Sequence, residues 1–162
     1  MGRMVRICFV CTGNICRSPI AEHVLRERLV DAGLADRVVV DSAGTGSWHE
    51  GDCADARAER VLREAGYGAE HTARQFRPEW FATRDLVIAL DRGHERELRR
   101  LARTREEAAK IRLFRSFDPA AGAGDDLDVP DPYYGGVEDF EETLKLCEAA
   151  ADGLVDEVRR RL

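Results

Sequence analysis

Three absences restrict what this 162-residue chain can be: it has no long hydrophobic run, no excess of basic residues and no cysteine framework. The apolar stretch around Arg6 is too short for a signal peptide or a membrane span. Arg6 also breaks the myristoylation pattern that Met1-Gly2 could open. With 31 acidic and 25 basic residues the formal net charge is -6, which argues against nucleic acid as the main partner. We therefore expect a cytoplasmic protein that binds neither a membrane nor nucleic acid.

The five cysteines are an odd number, which is not typical of a disulfide framework in an intracellular chain. Cys8 and Cys11 form a Cys-x-x-Cys pattern, but a zinc site would need a second half-site, and the four histidines are scattered. Residues 8 and 11 of a strand also point to opposite faces. We expect neither a metal nor a cofactor.

Apolar runs alternate with amphipathic segments, which predicts a single α/β domain over residues 1–162. Four short apolar runs predict strands at 4–10, 37–42, 85–90 and 111–114. The periodicity predicts a helix after each of the first three strands and a long helix over 137–162 that buries Cys147. Ser18 is predicted to be the N-cap of the first helix and Pro19 its first residue. This order of elements favours a parallel sheet with helices on both faces.

The segment Cys11-Thr12-Gly13-Asn14-Ile15-Cys16-Arg17-Ser18-Pro19 joins the first strand to the first helix. A loop that leads into a helix N-terminus presents free backbone N–H groups and the positive end of the helix dipole, so it is an anion site. Gly13 and Asn14 favour left-handed backbone angles, which lets the loop curl around the anion. The N–H groups and the Arg17 guanidinium would stabilise a thiolate at Cys11, and Arg17 also matches two phosphate oxygens. The pattern indicates attack of sulfur on phosphorus.

Cys-x5-Arg-Ser is the signature of the cysteine-dependent phosphatases. The residues of this segment and its position near the N-terminus resemble those of the low-molecular-weight protein tyrosine phosphatases. The resemblance implies a four-stranded sheet in the order 2-1-3-4, with the phosphate-binding loop between strand 1 and helix 1. It implies hydrolysis of phosphotyrosine in proteins or peptides through a cysteinyl-phosphate intermediate. Inorganic phosphate and vanadate would then inhibit the enzyme.

The general acid of such a reaction is sought among five aspartates in one long loop: Asp118, Asp125, Asp126, Asp128 and Asp131. Asp131 differs because Pro132 restricts its backbone and two tyrosines follow it. The run Asp131-Pro132-Tyr133-Tyr134-Gly135-Gly136 resembles the general-acid motif of the family. Asp118-Pro119 is the rival and lacks the aromatic residues.

The resemblance also assigns supporting roles. Catalysis falls to Cys11, Arg17 and Asp131, and phosphate binding to the signature loop, Thr12, Gly13, Asn14, Ile15, Cys16 and Ser18. Trp48 lies in a Gly- and Ser-rich loop and would stack on the substrate ring, opposite Tyr133 and Tyr134. Ser42 and His71, with Asn14, would hold the shape of the loop. Cys16 would resolve an oxidised Cys11 as a disulfide.

Three other functions are weighed against this one. A thiol-dependent arsenate reductase of the same fold needs resolving cysteines in the middle of the chain, and residues 78–110 contain none. A phosphoarginine phosphatase of the same family carries Thr where this chain has Ile15, and Tyr133 and Tyr134 favour a flat phenol. A non-catalytic phosphate-binding module has no use for Cys11 together with Asp131.

Overall fold

The fold is a parallel sheet covered by helices, as a computed structural model describes it for residues 3–122 and 126–162. The elements in chain order are β1 (Val5–Cys11), α1 (Arg17–Asp31), β2 (Val38–Gly44), α2 (Ala56–Glu64), β3 (Leu86–Ala89), α3 (Arg92–Leu101), α4 (Arg105–Ala109), β4 (Ile111–Leu113) and α5 (Val137–Arg161). Short 3-10 helices occupy Ala35–Arg37, Pro78–Thr83 and Phe114–Phe117. None of the helices within these described ranges is both long and apolar enough to cross a bilayer.

The four strands form one sheet in the order β2-β1-β3-β4, and every pairing is parallel. The predicted strand order 2-1-3-4 is therefore confirmed. Since parallel strands place their carboxyl ends at one edge, the residues after β1, β2 and β3 meet there. Cys11 is the last residue of β1 and pairs with Gly44 at the end of β2.

Alternating residues of β1 serve two separate cores. Ile7 and Phe9 pack into the larger one, which α1 and α5 cover, and Cys147 of α5 is fully buried there as predicted. Cys8 and Val10 face the smaller core on the opposite side, together with Leu98 of α3. Helices thus cover both faces, and the sheet edge between them is left for the site.

The start of α1 differs from the prediction. The helix begins at Arg17 with Cys16 as its N-cap, so Ser18 is not the cap and Pro19 is the third helical residue rather than the first. The reason is that the Ser18 hydroxyl lies against Cys11 Sγ and the Asn14 amide, where it cannot cap the helix. Proline is tolerated here because the first-turn N–H groups have no partner within the helix.

Short elements were not predicted. The hydrophobic periodicity does not predict the helix α4 or the three 3-10 helices, because each of them spans at most two turns. At the start of α3 the Asp91 carboxylate accepts from the backbone N–H of His94 and caps the helix.

Candidate active site

A cleft of about 260 Å³ opens at the carboxyl edge of the sheet. The signature loop forms its floor, and the loops after β2 and before α5 form its walls. Its lining residues are Cys11, Thr12, Gly13, Ile15, Cys16, Arg17, Trp48, His49, Asp131, Tyr133 and Tyr134. The cleft thus brings together the predicted nucleophile, arginine, acid and aromatic residues, which lie up to 123 positions apart.

The Cys11 sulfur sits almost buried at the bottom of this cleft. The backbone N–H of Asn14 donates to it over 3.3 Å, and Ser18 Oγ lies 2.9 Å from it. The Asn14 side-chain amide donates to Ser18 Oγ at 2.8 Å, and the Ala43 carbonyl oxygen lies 3.5 Å from the same hydroxyl, as an acceptor of its hydrogen alternative to the sulfur. The Asn14 N–H and the Ser18 hydroxyl are thus the two hydrogen-bonding groups that face Cys11 Sγ.

Among the residues that the structure describes, Asn14 is the one non-glycine residue with a positive φ, which is 59°. Its buried side-chain nitrogen Nδ2 donates to Ser18 Oγ and to Ser42 Oγ, and its side-chain oxygen Oδ1 accepts from the backbone N–H of Arg74. Asparagine tolerates this left-handed conformation better than most residues, and these three bonds hold it there. The loop can therefore turn its N–H groups inward without a glycine at this position.

Gly13 was expected to share the left-handed conformation, and this expectation is wrong, because its φ is not positive. A Cβ on Gly13 would lie 2.9 Å from Cδ2 of His49, so a larger residue at position 13 would displace the His49 ring. A similar limit applies to Gly44, since its Cβ would lie 2.6 Å from the Thr12 carbonyl oxygen. Both glycines allow the loop after β2 to pack closely on the signature loop.

Ser42 and His71 contact Asn14 from behind the loop, away from the cleft. His71 Nε2 donates to the Asn14 carbonyl oxygen at 2.6 Å, and burial lowers the pKa of His71, which favours the neutral ring. The Ser42 hydroxyl accepts from the Asn14 amide and donates to the buried Glu22 carboxylate at 2.5 Å. A chain of hydrogen bonds therefore runs from Glu22 through Ser42 and Asn14 to Ser18 and the sulfur.

The Arg17 guanidinium is buried beside the cleft and is held by three other segments. Its Nη1 donates to Asp91 Oδ2 at 2.7 Å and to the Val129 carbonyl oxygen at 2.9 Å. Its Nη2 lies 3.8 Å from Asp131 Oδ2. Fixed in this way, the guanidinium loses little side-chain entropy when an anion binds.

His94 is a site residue that the sequence did not indicate. Its Nε2 lies 2.8 Å from Thr12 Oγ1 and 3.4 Å from Nη2 of Arg17, while its Nδ1 lies 3.2 Å from Asp91 Oδ1. Burial and the Arg17 charge lower its pKa to about 4, against the opposing effect of Asp91 and Asp131. The ring is therefore neutral near pH 7 and adds no second positive charge beside the arginine.

Among the described aspartates of the long loop, Asp131 is the one whose side chain lines the cleft. Asp118 accepts from the backbone N–H of Ala120, Asp126 from that of Asp128, and Asp128 from that of Arg92, so these three shape the backbone. Asp125 lies outside the described residues.

The aromatic walls differ in exposure. Tyr133 and Tyr134 meet edge to face with centroids 5.0 Å apart, and Tyr134 is 92% exposed. Trp48 is 75% exposed and folds over Gly46, where a Cβ would overlap its ring. Large exposed aromatic surface around a polar floor is typical of a site that receives a ring.

All five cysteines are free thiols. Cys16 is buried beside the cleft, and burial is the main reason that its pKa lies well above the ordinary value. Cys53 is exposed, two residues before the Asp55 cap of α2. Among the described residues, no group of three or more His, Cys, Asp or Glu is placed to hold a metal ion.

The fold and this loop are those of a cysteine-dependent phosphatase, and comparison with known proteins gives the family. The family model described as low molecular weight phosphotyrosine protein phosphatase matches residues 6–162. A low molecular weight protein-tyrosine-phosphatase of Streptomyces coelicolor is 62% identical over 157 residues, which cover 97% of this chain and 95% of that protein. The chain belongs to the low molecular weight phosphotyrosine protein phosphatase family.

Solved structures agree with this assignment. A protein tyrosine phosphatase of Entamoeba histolytica, with Hepes in its active site, superposes with a TM-score of 0.91 at 33% identity, covering 96% of this chain and 97% of that one. Vibrio vulnificus Wzb in complex with benzylphosphonate superposes with a TM-score of 0.81 at 30% identity, covering 95% and 99%.

The buried His94 should make folding stability depend on pH. Because its pKa falls from 6.5 to about 4 in the folded protein, the unfolded chain binds a proton in this range that the native state does not. The free energy of unfolding should therefore fall as the pH drops from about 6.5 to about 4, by on the order of 3 kcal/mol at 1.36 kcal/mol per pKa unit. Urea unfolding across this range measures the slope.

His94→Gln keeps an acceptor for Thr12 but cannot titrate. The free energy of unfolding of this variant should therefore fall less between about pH 6.5 and about pH 4 than that of the parent, by the amount that His94 contributes. Identical slopes for the parent and His94→Gln would refute a neutral buried His94.

Proposed function

We propose that this protein is a protein tyrosine phosphatase that hydrolyses phosphotyrosyl proteins or peptides through a phosphate ester on Cys11. One observation carries the assignment: the Cys11 thiol, the Arg17 guanidinium and the Asp131 carboxylate converge on a single cleft with aromatic walls. Nucleophile, anion cradle and proton donor are what phosphate transfer to sulfur requires. The match of the family model to residues 6–162 supports one phosphatase domain over 1–162.

In the first step the Cys11 thiolate attacks phosphorus and the bond to the phenol oxygen breaks. Arg17 and the N–H groups of the signature loop stabilise the charge on the three equatorial oxygens. Asp131 gives its proton to the departing phenolate, which leaves as tyrosine. The closeness of Asp131 Oδ2 to Nη2 of Arg17, 3.8 Å, supports this role because it puts the acid beside the phosphate site.

In the second step water replaces sulfur on phosphorus. The Asp131 carboxylate accepts a proton from the attacking water, the sulfur–phosphorus bond breaks, and inorganic phosphate is released. Cys11 departs as a thiolate, which the Ser18 hydroxyl at 2.9 Å stabilises. The reaction needs no metal ion or cofactor in this scheme, since Arg17 and the loop supply the positive field.

The aromatic walls favour phosphotyrosine over phosphoserine. A phenol ring can contact Trp48, Tyr133 and Ile15 while its phosphate reaches the loop floor, whereas a short alkyl phosphate leaves these surfaces in water. The benzylphosphonate complex of Vibrio vulnificus Wzb, a phosphonate on a benzyl group, supports the same arrangement.

Phosphate and vanadate would inhibit by occupying the loop. The five free thiols fit a reducing, cytoplasmic location.

The test is turnover of matched phosphotyrosine and phosphoserine peptides. The parent should release phosphate from the first with much higher kcat/KM, and Cys11→Ser should abolish turnover while still binding vanadate in part, because the loop N–H groups and Arg17 remain. Activity of Cys11→Ser near that of the parent would exclude the covalent mechanism. Equal kcat/KM on the two peptides would exclude the aromatic selectivity.

The acid assignment has its own test in Asp131→Asn. The change should lower kcat/KM on phosphotyrosine by about 10²–10⁴-fold, the usual contribution of one general acid. The loss should be much smaller on p-nitrophenyl phosphate, whose leaving group needs little protonation. Asp118→Asn is the matched control and should keep parental rates, since Asp118 lies outside the cleft. A larger loss at Asp118 would move the acid to that residue.

Cys16 is proposed as the resolving thiol. Peroxide takes two electrons from the Cys11 thiolate to give a sulfenic acid, and the Cys16 thiol can displace water from it to form a disulfide. Dithiothreitol should then restore both thiols and the activity of the parent almost completely. Cys16→Ser should recover much less, because its sulfenic acid proceeds to an irreversible sulfinic acid. Equal recovery, or a Cys8–Cys11 bond found by mass spectrometry, would remove this role from Cys16.

A further inference from the structure

The segment that carries Asp131 is a turn that projects from the sheet. The backbone N–H of Gly135 donates to the Pro132 carbonyl oxygen at 2.9 Å, and that of Tyr133 donates to Asp131 Oδ1 at 3.1 Å. We call residues 131–136 the acid turn. The Asp131 side chain is 46% exposed, so burial does little to fix it. Its position therefore depends on what holds the turn.

Arg57, in the first turn of α2, contacts the far side of the acid turn. Its Nη1 donates to the Gly135 carbonyl oxygen at 3.0 Å. Its guanidinium carbon lies 5.6 Å from the centroid of the Tyr133 ring, within the range of a cation–π contact. One side chain thus binds the backbone at one end of the turn and an aromatic ring in its middle.

Asp55 holds the guanidinium in place for this contact. Its Oδ1 accepts from Nε of Arg57 at 3.1 Å and its Oδ2 from Nη2 at 3.0 Å, which leaves Nη1 for Gly135. Burial acts to raise the pKa of Asp55, but the hydrogen bonds from Arg57 outweigh it and lower that pKa, so the pair stays ionised. Such a two-point pair fixes the plane of the guanidinium as well as its position.

Both ends of this link are anchored. The backbone N–H of Asp55 donates to the carbonyl oxygen of Ile15 in the signature loop at 2.8 Å. On the other side the Arg57 guanidinium packs over the ring of Phe140, which is fully buried in α5. A continuous set of contacts therefore runs from the signature loop through Asp55 and Arg57 to the acid turn.

We propose that Arg57 is a positioning residue that fixes the acid turn relative to the signature loop, and so holds Asp131 over the leaving oxygen. The inference rests on the proposed function, in which Asp131 is the general acid. Arg57 itself touches neither the phosphate loop floor nor the reacting atoms. Without the Arg57 guanidinium the acid turn could move relative to the signature loop. Displacement of a catalytic group by about 1 Å can lower the rate by on the order of 10²-fold.

The test is the dependence of kcat/KM on the leaving group, measured with p-nitrophenyl phosphate and phenyl phosphate. Arg57→Ala should lower kcat/KM for phenyl phosphate by about 10–100-fold and for p-nitrophenyl phosphate by less than about threefold, because only the first needs a well-placed acid. Arg57→Lys keeps the charge without the planar fork and should behave in the same way. The dissociation constant for vanadate should stay within about twofold of the parental value, because the signature loop is unchanged.

Two further variants separate the possible outcomes. In an Asp131→Asn background, Arg57→Ala should cost less than about twofold more, because both substitutions remove the same contribution. Arg60→Ala is the matched control on α2: Arg60 pairs with Glu64 on the exposed face and should be parental. Urea unfolding of each variant reports its folding, and Arg57→Lys decides the matter if Arg57→Ala does not fold.

Equal losses on both substrates, a weaker affinity for vanadate, or parental rates in Arg57→Lys would each overturn the positioning role. The first two would place the effect of Arg57 in the signature loop, and the third would reduce it to charge. The single variant Asp131→Asn, in which Arg57 is intact, tests the acid assignment separately. That assignment fails if the loss of kcat/KM in Asp131→Asn does not depend on the leaving group.

Discussion

The site depends on one buried amide, the side chain of Asn14. Its bonds to Ser18, Ser42 and the backbone of Arg74 join the signature loop to α1, β2 and the segment before β3. They also hold Asn14 itself in a left-handed conformation that is unfavourable for most residues. With that conformation kept, the N–H of Asn14 points at the Cys11 sulfur, and the Ser18 hydroxyl lies 2.9 Å from the same atom. An anion site made of backbone needs this kind of support, because an unsupported loop would turn its N–H groups to water.

A second set of contacts arises because parallel strands end at one edge of the sheet. Asp91 and His94 follow β3, which lies beside β1, so both reach the arginine at the start of α1. The carbonyl group of Val129 binds the same guanidinium, and the N–H of Val129 binds the Leu90 carbonyl at the end of β3. The arginine thereby connects the phosphate loop to the chain that leads to Asp131. The proposed anion ligand and the proposed acid are therefore joined through one buried guanidinium.

The predictions that succeeded rest on local physics. The strand order came from the family resemblance, but the existence of the strands, the long helix and the buried Cys147 followed from periodicity alone. Asp91 has two roles, since one carboxylate oxygen caps α3 and the other binds Arg17. The predictions that failed are local ones overridden by tertiary contacts. Ser18 looks like a helix cap in the sequence, yet its hydroxyl is taken by the sulfur and an amide, so the helix starts two residues earlier than predicted.

By itself the sequence determined the chemistry that we propose: a thiol and a guanidinium six positions apart, after a strand and before a helix, predict an anion site with a nucleophile in it. It also determined which aspartate differs from its neighbours, because Pro132 and two tyrosines follow Asp131. Only the tertiary structure decided that Asp131 faces the loop, that His94 is neutral against Arg17, and that Arg57 contacts the acid turn. These depend on residues 77 to 114 positions apart meeting at a sheet edge, and no local pattern encodes such distances. Spacing along the chain can specify the reacting groups, whereas burial and packing specify their charge and their place.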